Sequence, residues 1–360
     1  MILQPVFDHS RFRQLAQAAG LIYADVEFGL PDSSQFATFT RDADSPFADQ
    51  TDRRYLIASI TKPIVTMALL KLAAAGEITL AERLGSVLPK FSKAVFRRIT
   101  VRHLLTHTSG FPDMLPNNAE LRAANASLSE FIQQSTDVPL EFQTATDCRY
   151  SSIGFLLAAA IIEKLSGRTT RDFLQQEFFE PLQMHNSWLG LPEDTVDELL
   201  PTTLPCELPE WQPNAEHWNW NSRYWRTLGA PWGGMMSTTA DLGRFAKMML
   251  CEGAAADGTQ VLPAAVVQTA MSNQIADLAA QPGFVGPRRG WGLGWRLEWP
   301  SHSASFGDFL SPTAIGHWGA CGTLLWIDPE RRRYAAILTT TPYEQSQSII
   351  QQISNMAAVS

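Results

Sequence analysis

The chain has 360 residues, of which 45% are hydrophobic and 18% are charged, and its formal net charge is −8 at pH 7. This composition is typical of a globular protein with a large core, and the negative charge argues against nucleic acid or an anionic membrane surface as the main partner. The wide spacing of the cysteines excludes a zinc ribbon and favours buried, reduced thiols over a disulfide-dense scaffold. These cysteines are Cys148, Cys206, Cys251 and Cys321.

The N-terminal sequence has no basic segment followed by an apolar one. No secretory signal is therefore predicted, and a cytoplasmic location is expected. The two richest apolar runs, at 64–70 and 153–162, are too short to span a bilayer and indicate buried helices.

The first predicted element is an amphipathic helix over 7–19 that ends at Gly20. Residues 21–28 and 36–41 alternate and carry β-branched or aromatic side chains, which predicts two antiparallel strands joined by a Pro-Asp-Ser-Ser turn. A helix over 59–75 follows, capped by Ser59 and ended by Gly76, with Pro63 tolerated because it lies near the first turn.

The middle of the chain is predicted to be mainly helical, and its end is predicted to return to strands. The predicted helices are 101–107, 128–135, 152–166, 170–178, 239–251 and 263–271. The predicted strands are 291–299, 312–318, 322–328 and 334–341, with a final helix over 343–357.

Pairing of the first and last strands would form one antiparallel sheet flanked by the terminal helices. The expected architecture is an α/β (α+β) fold whose sheet domain is discontinuous, over 1–58 and 288–360. A mainly helical domain would cover 59–287. Ser59 would then lie at the domain boundary, where substrate clefts are common.

Ser59 and Lys62 stand three residues apart in the stretch Leu-Ile-Ala-Ser-Ile-Thr-Lys-Pro over 56–63. On a helix this spacing brings the side chains within roughly 5–6 Å at Cβ. A serine hydroxyl is a weak nucleophile until a base takes its proton, and lysine is such a base only when burial or a neighbouring cation lowers its pKa. Alone, this S-x-x-K pattern is a weak signal, because most matches are solvated helix surface.

Two further motifs follow in order, Tyr150-Ser151-Ser152 and the run Gly-His-Trp-Gly-Ala-Cys-Gly-Thr over 316–323. With Ser59-Ile-Thr-Lys62 they resemble the serine β-lactamase and penicillin-binding-protein superfamily. Class C β-lactamases, D-alanyl-D-alanine carboxypeptidases and family VIII-type esterases are the most similar branches. Supporting matches lie at 103–110, 233–242 and 290–295, and the resemblance extends from about residue 10 to residue 355.

The resemblance implies a β-lactamase/transpeptidase-like fold and two-step acyl transfer through an acyl-enzyme, without a cofactor or a metal. Ser59 would be the nucleophile, and Lys62 and Tyr150 would share proton transfer. The backbone N–H groups of Ser59 and Ala320 would form the oxyanion hole. Substrate-binding roles would fall to Ser152, His317, Trp318 and Gly319.

Two positions depart from the family pattern. Ser152 replaces the Asn of Tyr-x-Asn, whose amide helps β-lactamases bind the acylamino side chain of the substrate; a hydroxyl offers only one donor. His317-Trp318-Gly319 replaces Lys-Thr-Gly, so the hydroxyl that would bind a carboxylate is lost and the cation becomes a histidine. Both changes weaken recognition of β-lactams and favour carboxylic esters, since family VIII-type esterases carry a similar Trp-Gly-Gly motif.

Three alternatives stay open. The chain is a β-lactamase or D,D-carboxypeptidase that binds the carboxylate of its small-molecule substrate elsewhere, an acyltransferase, or a catalytically weak ligand-binding member. The segment 210–234 is rich in tryptophan. Two interpretations of it have equal weight: it roofs an acyl or alcohol pocket, or it is part of the core. His103 and His107 are expected to be structural rather than zinc ligands, and Cys148 and Cys321 flank the second and third motifs.

Overall fold

The computed structural model describes residues 7–210, 212, 216–286, 290–298 and 306–360. The strands are β1 Tyr23–Leu30, β2 Ser33–Thr40, β3 Tyr55–Leu56, β4 Trp188–Leu189, β5 Met235–Ser237, β6 Arg296–Leu297, β7 Ile315–Gly319, β8 Thr323–Asp328 and β9 Arg333–Thr339. The longer helices are α1 His9–Ala18, α2 Thr61–Ala74, α6 Leu128–Ser135, α7 Ile153–Ser166, α11 Thr239–Leu250, α12 Ala264–Met271 and α14 Tyr343–Val359. The shorter helices are α3 Leu84–Val87, α4 Val101–Leu105, α5 Asn118–Ala123, α8 Thr170–Leu174, α9 Val196–Leu199, α10 Arg223–Leu228 and α13 Ala276–Ala279.

Six strands form one antiparallel sheet in the order β2-β1-β9-β8-β7-β6. The first and last strands of the chain pair as predicted, with Val26 opposite Ile337, and the mixed α/β fold class is confirmed. One face of the sheet packs against α1 and α14, through residues such as Phe12 and Ile353. The helix α11 contacts β1 and β9. The domain boundaries at 58/59 and 287/288 stay a prediction.

The main core surrounds α2 and α7, which contact each other. Residues 61–70 of α2 are all buried, because this helix is apolar on every side and has no face suited to water. Helix α2 therefore gives the residues at its N-terminal end a rigid support. Within the described part of the chain, none of the helices combines the length and the apolar character that a membrane crossing requires.

Several element boundaries differ from the prediction. Ser59 does not cap α2: it lies in a 3-10 turn over Ala58–Ile60, and the N-cap position is Ile60. The helix predicted over 170–178 changes to a π-helical turn after Leu174. Only Arg296 and Leu297 of the strand predicted at 291–299 are extended, and residue 299 lies outside the described residues.

Candidate active site

The Ser59 turn is held in place by the strand β7. Gly319 of β7 packs so closely on this turn that a methyl group there would collide with the Ile57 carbonyl oxygen. The Thr323 hydroxyl donates to the same oxygen at 3.0 Å. Ala58, which precedes the nucleophile candidate, has φ of 46°, a left-handed conformation that costs free energy for a residue other than glycine. The fold thus fixes Ser59 in a strained turn with its side chain partly exposed.

Lys62 lies one turn along from Ser59 and is buried. Its Nζ is 3.1 Å from Ser59 Oγ and donates to the Trp232 carbonyl oxygen at 2.7 Å. Burial lowers the pKa of Lys62 to about 7; the Asp113 carboxylate opposes this, and Arg296 adds to it. A large share of Lys62 is therefore neutral at neutral pH, which a lysine needs in order to act as a base.

Tyr150 completes a cluster around the Ser59 hydroxyl. Its phenol interacts with the Ser59 side chain, and the Lys62 Nζ lies 4.7 Å from the centroid of its ring. Burial raises the pKa of Tyr150, while the hydrogen bond with Ser59 opposes the rise. Tyr150 is consequently a protonated phenol at neutral pH, able to donate a proton.

The motif that contains Tyr150 is positioned by His107. The His107 ring lies 4.7 Å from the Tyr150 ring, and its Nδ1 accepts the Ser151 N–H at 2.9 Å. The Nδ1 of His103 accepts the Thr100 N–H at 3.1 Å and so caps α4. Both histidines therefore make structural hydrogen bonds, in line with the role expected from the sequence.

In the third motif, His317 is buried, and its Nδ1 lies 2.7 Å from the Trp318 carbonyl oxygen. A carbonyl only accepts, so Nδ1 carries the proton; Nε2 has no hydrogen-bond partner among the described residues. Burial lowers the pKa of His317 well below its usual value, and Arg296 adds to this effect. His317 is thus neutral and does not replace the lysine cation of the family motif. Trp318 stacks on Tyr343, with ring centroids 4.6 Å apart.

Arg296 is a buried cation beside this motif that sequence reasoning missed. It lies on β6 opposite Gly316 of β7, and its guanidinium is 4.9 Å from the Trp318 ring centroid and 5.1 Å from that of Trp291. No motif marks Arg296; only the pairing of β6 with β7 brings it to the site. Asp113 was missed for a similar reason, because it reaches the second motif only through hydrogen bonds to Ser152.

The tryptophan-rich segment is mostly core. Its described tryptophans are all buried, and Trp211 lies outside the described residues. Trp220 also lines a cavity with Trp318 and Ala320, and Trp232 lines a second cavity with Ser152. The buried tryptophans are Trp218, Trp220, Trp225 and Trp232. Trp218 and Trp225 thus fit the core interpretation, whereas Trp220 and Trp232 also fit the pocket interpretation.

None of the four cysteines, all of which the structure describes, forms a disulfide. Cys321 directly follows the oxyanion-hole candidate Ala320, and its side chain interacts with that of Cys206. Cys148 is buried and hydrogen-bonds the Thr106 carbonyl oxygen at 3.6 Å. These contacts indicate packing roles for Cys148 and Cys321 beside the second and third motifs.

Comparison with known proteins identifies the family. The model of the β-lactamase family matches residues 12–353. Penicillin-binding protein 4 of Amycolatopsis lactamdurans is 31% identical over 295 residues, which cover 80% of this chain and 72% of that protein. A putative D-alanyl-D-alanine carboxypeptidase of Escherichia coli K12 is 24% identical over 330 residues, 83% of this chain and 72% of that protein.

Among solved structures, a penicillin-binding-protein homologue from Caulobacter crescentus matches with a TM-score of 0.76 at 18% identity, covering 97% of this chain and 96% of that one. EstCE1, described as a hydrolase with promiscuous acyltransferase activity, matches with a TM-score of 0.76 at 16% identity and 97% coverage of both chains. At these identities the two structures show the shared fold. The chain belongs to the β-lactamase family and is a serine hydrolase of the β-lactamase and penicillin-binding-protein superfamily.

Proposed function

We propose that the protein hydrolyses carboxylic esters through an acyl-enzyme on Ser59, with Lys62 as the base of acylation. The observation that carries this proposal is the 3.1 Å contact between Lys62 Nζ and Ser59 Oγ, together with the burial that brings the pKa of Lys62 to about 7. Neutral Lys62 can donate to the Trp232 carbonyl and still accept the Ser59 proton through its lone pair. A buried base at the nucleophile is the arrangement that acyl transfer requires.

In the first step, Ser59 Oγ attacks the acyl carbon while its proton moves to Lys62 Nζ. The negative charge that develops on the carbonyl oxygen would be stabilised by the N–H groups of Ser59 and Ala320, which lie on the two segments that Gly319 holds together. Protonated Tyr150 donates to the leaving alkoxide and recovers its proton from Lys62. Water then attacks the acyl carbon while one of its protons passes to Lys62 Nζ. Lys62 returns this proton to Ser59 Oγ as the acyl–oxygen bond breaks, and the acid is released.

The third motif supports esters over β-lactams. Neutral His317 supplies no charge for a substrate carboxylate, and Trp318, which replaces the hydroxyl residue, stacks on Tyr343. Substrate-binding roles for His317, Trp318 and Gly319 then concern the shape of the cleft rather than anion recognition. An acyl compound without an essential carboxylate fits this surface best.

A second candidate is a β-lactamase or D,D-carboxypeptidase in which Arg296 takes over carboxylate binding. The observation that favours it is the guanidinium beside Trp318 and Trp291. Arginine is well suited to a carboxylate because its planar fork binds both oxygens.

Turnover of p-nitrophenyl butyrate and of a chromogenic cephalosporin by one preparation separates the two candidates. We expect kcat/KM for the ester to exceed that for the cephalosporin by at least about 100-fold, and both activities to disappear in Ser59→Ala. Cephalosporin turnover equal to or above ester turnover would reject the ester assignment and favour Arg296 as the carboxylate partner. Replacing Arg296 by leucine would then abolish the cephalosporin activity selectively.

A further inference from the structure

The hydroxyl proton of Ser152 is not available to a substrate. Ser152 is buried, and its N–H and its hydroxyl both donate to Asp113 Oδ1, at 2.9 Å and 2.7 Å. A hydroxyl carries one proton, and this proton is already used. The polar group presented at this position is therefore the carboxylate of Asp113, an acceptor where the family motif has amide donors.

Asp113 is fixed relative to the proposed catalytic residues. The Ser152 N–H also approaches the Asp113 carbonyl oxygen at 3.0 Å, and the Ser151 hydroxyl donates to the Pro112 carbonyl oxygen at 2.9 Å. Residues 112–113 are thus bound to 151–152, which directly follow Tyr150. A group held in this way is preorganised to bind a ligand beside the reacting atoms.

The charge of Asp113 is available to a ligand. The residue is exposed, it forms no ion pair within the described part of the chain, and the hydrogen bonds that hold its side chain all go to Oδ1. Its negative charge opposes the lowering of the Lys62 pKa and adds to the rise of the Tyr150 pKa, so its field reaches both groups. Lys62 does not neutralise it by contact, because the Lys62 Nζ is bound to Ser59 and Trp232.

Arg122, a second cation on which the charge of Asp113 acts, does not pair with Asp113 among the described contacts. The Arg122 guanidinium lies over the rings of Trp218 and Trp225 and turns its Nη2 to the Met114 sulfur at 3.7 Å. Arg296 lies at the third motif instead. Among the described residues no donor reaches the second carboxylate oxygen of Asp113, which is open to a donor from outside the protein.

A small apolar cavity adjoins this position. Its lining includes Met114, Leu115, Asn118, Phe131, Ser152 and Trp232. The cavity has room for little more than one water-sized group, so it suits only a very short aliphatic side chain. A ligand that places a cationic donor on Asp113 can thus place a small side chain in the adjacent cavity.

We propose that Asp113 binds the ammonium group of the substrate, so that the preferred substrates are esters or amides of α-amino acids with a free amino group and a short apolar side chain. This inference rests on the proposed acyl transfer at Ser59. It adds a specificity-determining residue that lies outside the motifs identified in the sequence.

The test compares phenyl 2-aminobutyrate, in both enantiomers, with phenyl butyrate. The two esters differ only in the α-ammonium group, and each kcat/KM is divided by the rate of hydroxide-catalysed hydrolysis of that ester to remove its intrinsic reactivity. We expect the normalised kcat/KM of the wild-type protein for one enantiomer of phenyl 2-aminobutyrate to exceed that for phenyl butyrate at least about tenfold. Asp113→Asn keeps the oxygen that accepts from Ser152 but loses the charge, and should lower this preference about 10- to 100-fold, the effect of a charged hydrogen bond.

Glu120→Gln is the matched control, because Glu120 is an exposed carboxylate on α5 and the variant changes the net charge equally. It should leave the preference within twofold of wild type. A preference that Asp113→Asn does not change, or a wild-type protein that prefers phenyl butyrate, would overturn the inference. Hydrolysis of neither ester would instead refute the proposed esterase function, so the two failures are distinguishable.

Discussion

Replacing Lys62 by methionine should lower kcat/KM for p-nitrophenyl butyrate about a thousandfold, the range expected for loss of a general base. Methionine has a similar length and fills the same buried space, but it cannot accept the Ser59 proton. The fold should persist, because the substitution removes a group whose burial already opposes its charge. Circular dichroism and the melting temperature verify the folded state before the kinetics are measured.

The pH dependence gives the same prediction a second readout. A base must be unprotonated to act, so kcat/KM of the wild-type protein should rise with pH through about 7, the pKa of buried Lys62, and level off above it. This ascending limb should be absent in Lys62→Met. Lys71→Met is the matched control, since Lys71 lies on the same helix and pairs with Glu177 at 2.8 Å, away from Ser59. A Lys71→Met effect as large as that of Lys62→Met would contradict the assignment.

The largest effect on stability is expected at Asp25. Its carboxylate pairs with Arg53, and both side chains are almost completely buried; the Tyr55 hydroxyl donates to it at 2.9 Å. Asp25→Ala leaves the Arg53 guanidinium buried without its counter-ion, which typically costs about 3–5 kcal/mol. Arg53 and Tyr55 lie just before the Ser59 turn, so this ion pair anchors that segment to β1.

Urea denaturation measures this loss as a change in the free energy of unfolding. The double variant Asp25→Ala/Arg53→Met should regain part of the stability, because it removes both charges from the interior. Asp49→Ala, at an exposed position, should change the free energy of unfolding by less than about 0.5 kcal/mol. An Asp25→Ala variant as stable as Asp49→Ala would show that the buried pair contributes nothing.

The sequence predicted the parts of the site that depend on local spacing. Ser59 and Lys62 are close because they are three residues apart around the start of α2. The placement of predicted strands at both ends of the chain indicated one antiparallel sheet. The prediction that Ser59 caps α2 was wrong, because the Ser59 hydroxyl interacts with Lys62 and Tyr150 instead. The turn is closed by the Thr61 hydroxyl, which donates to the Ala58 carbonyl oxygen at 2.6 Å. Helix propensity alone does not encode which of these side-chain contacts forms.

Properties that arise from tertiary packing were not readable from the sequence. The pKa of Lys62 and the neutral state of His317 follow from burial, which no motif encodes. Arg296 reaches the third motif through the pairing of β6 with β7, and Asp113 reaches the second motif through Ser152. The motifs thus indicated the residues that we propose to react, whereas the groups that tune them became visible only in the fold.

The most direct test of the account is covalent labelling of Ser59. After incubation with an alkyl fluorophosphonate, intact-protein mass spectrometry should show one added phosphonyl group, and peptide mapping should place it on Ser59. Ser59→Ala and heat-denatured protein should gain no mass, and labelling should remove ester hydrolysis in proportion to the labelled fraction. A label on another residue, or full ester activity with Ser59 labelled or replaced, would contradict acyl transfer at Ser59.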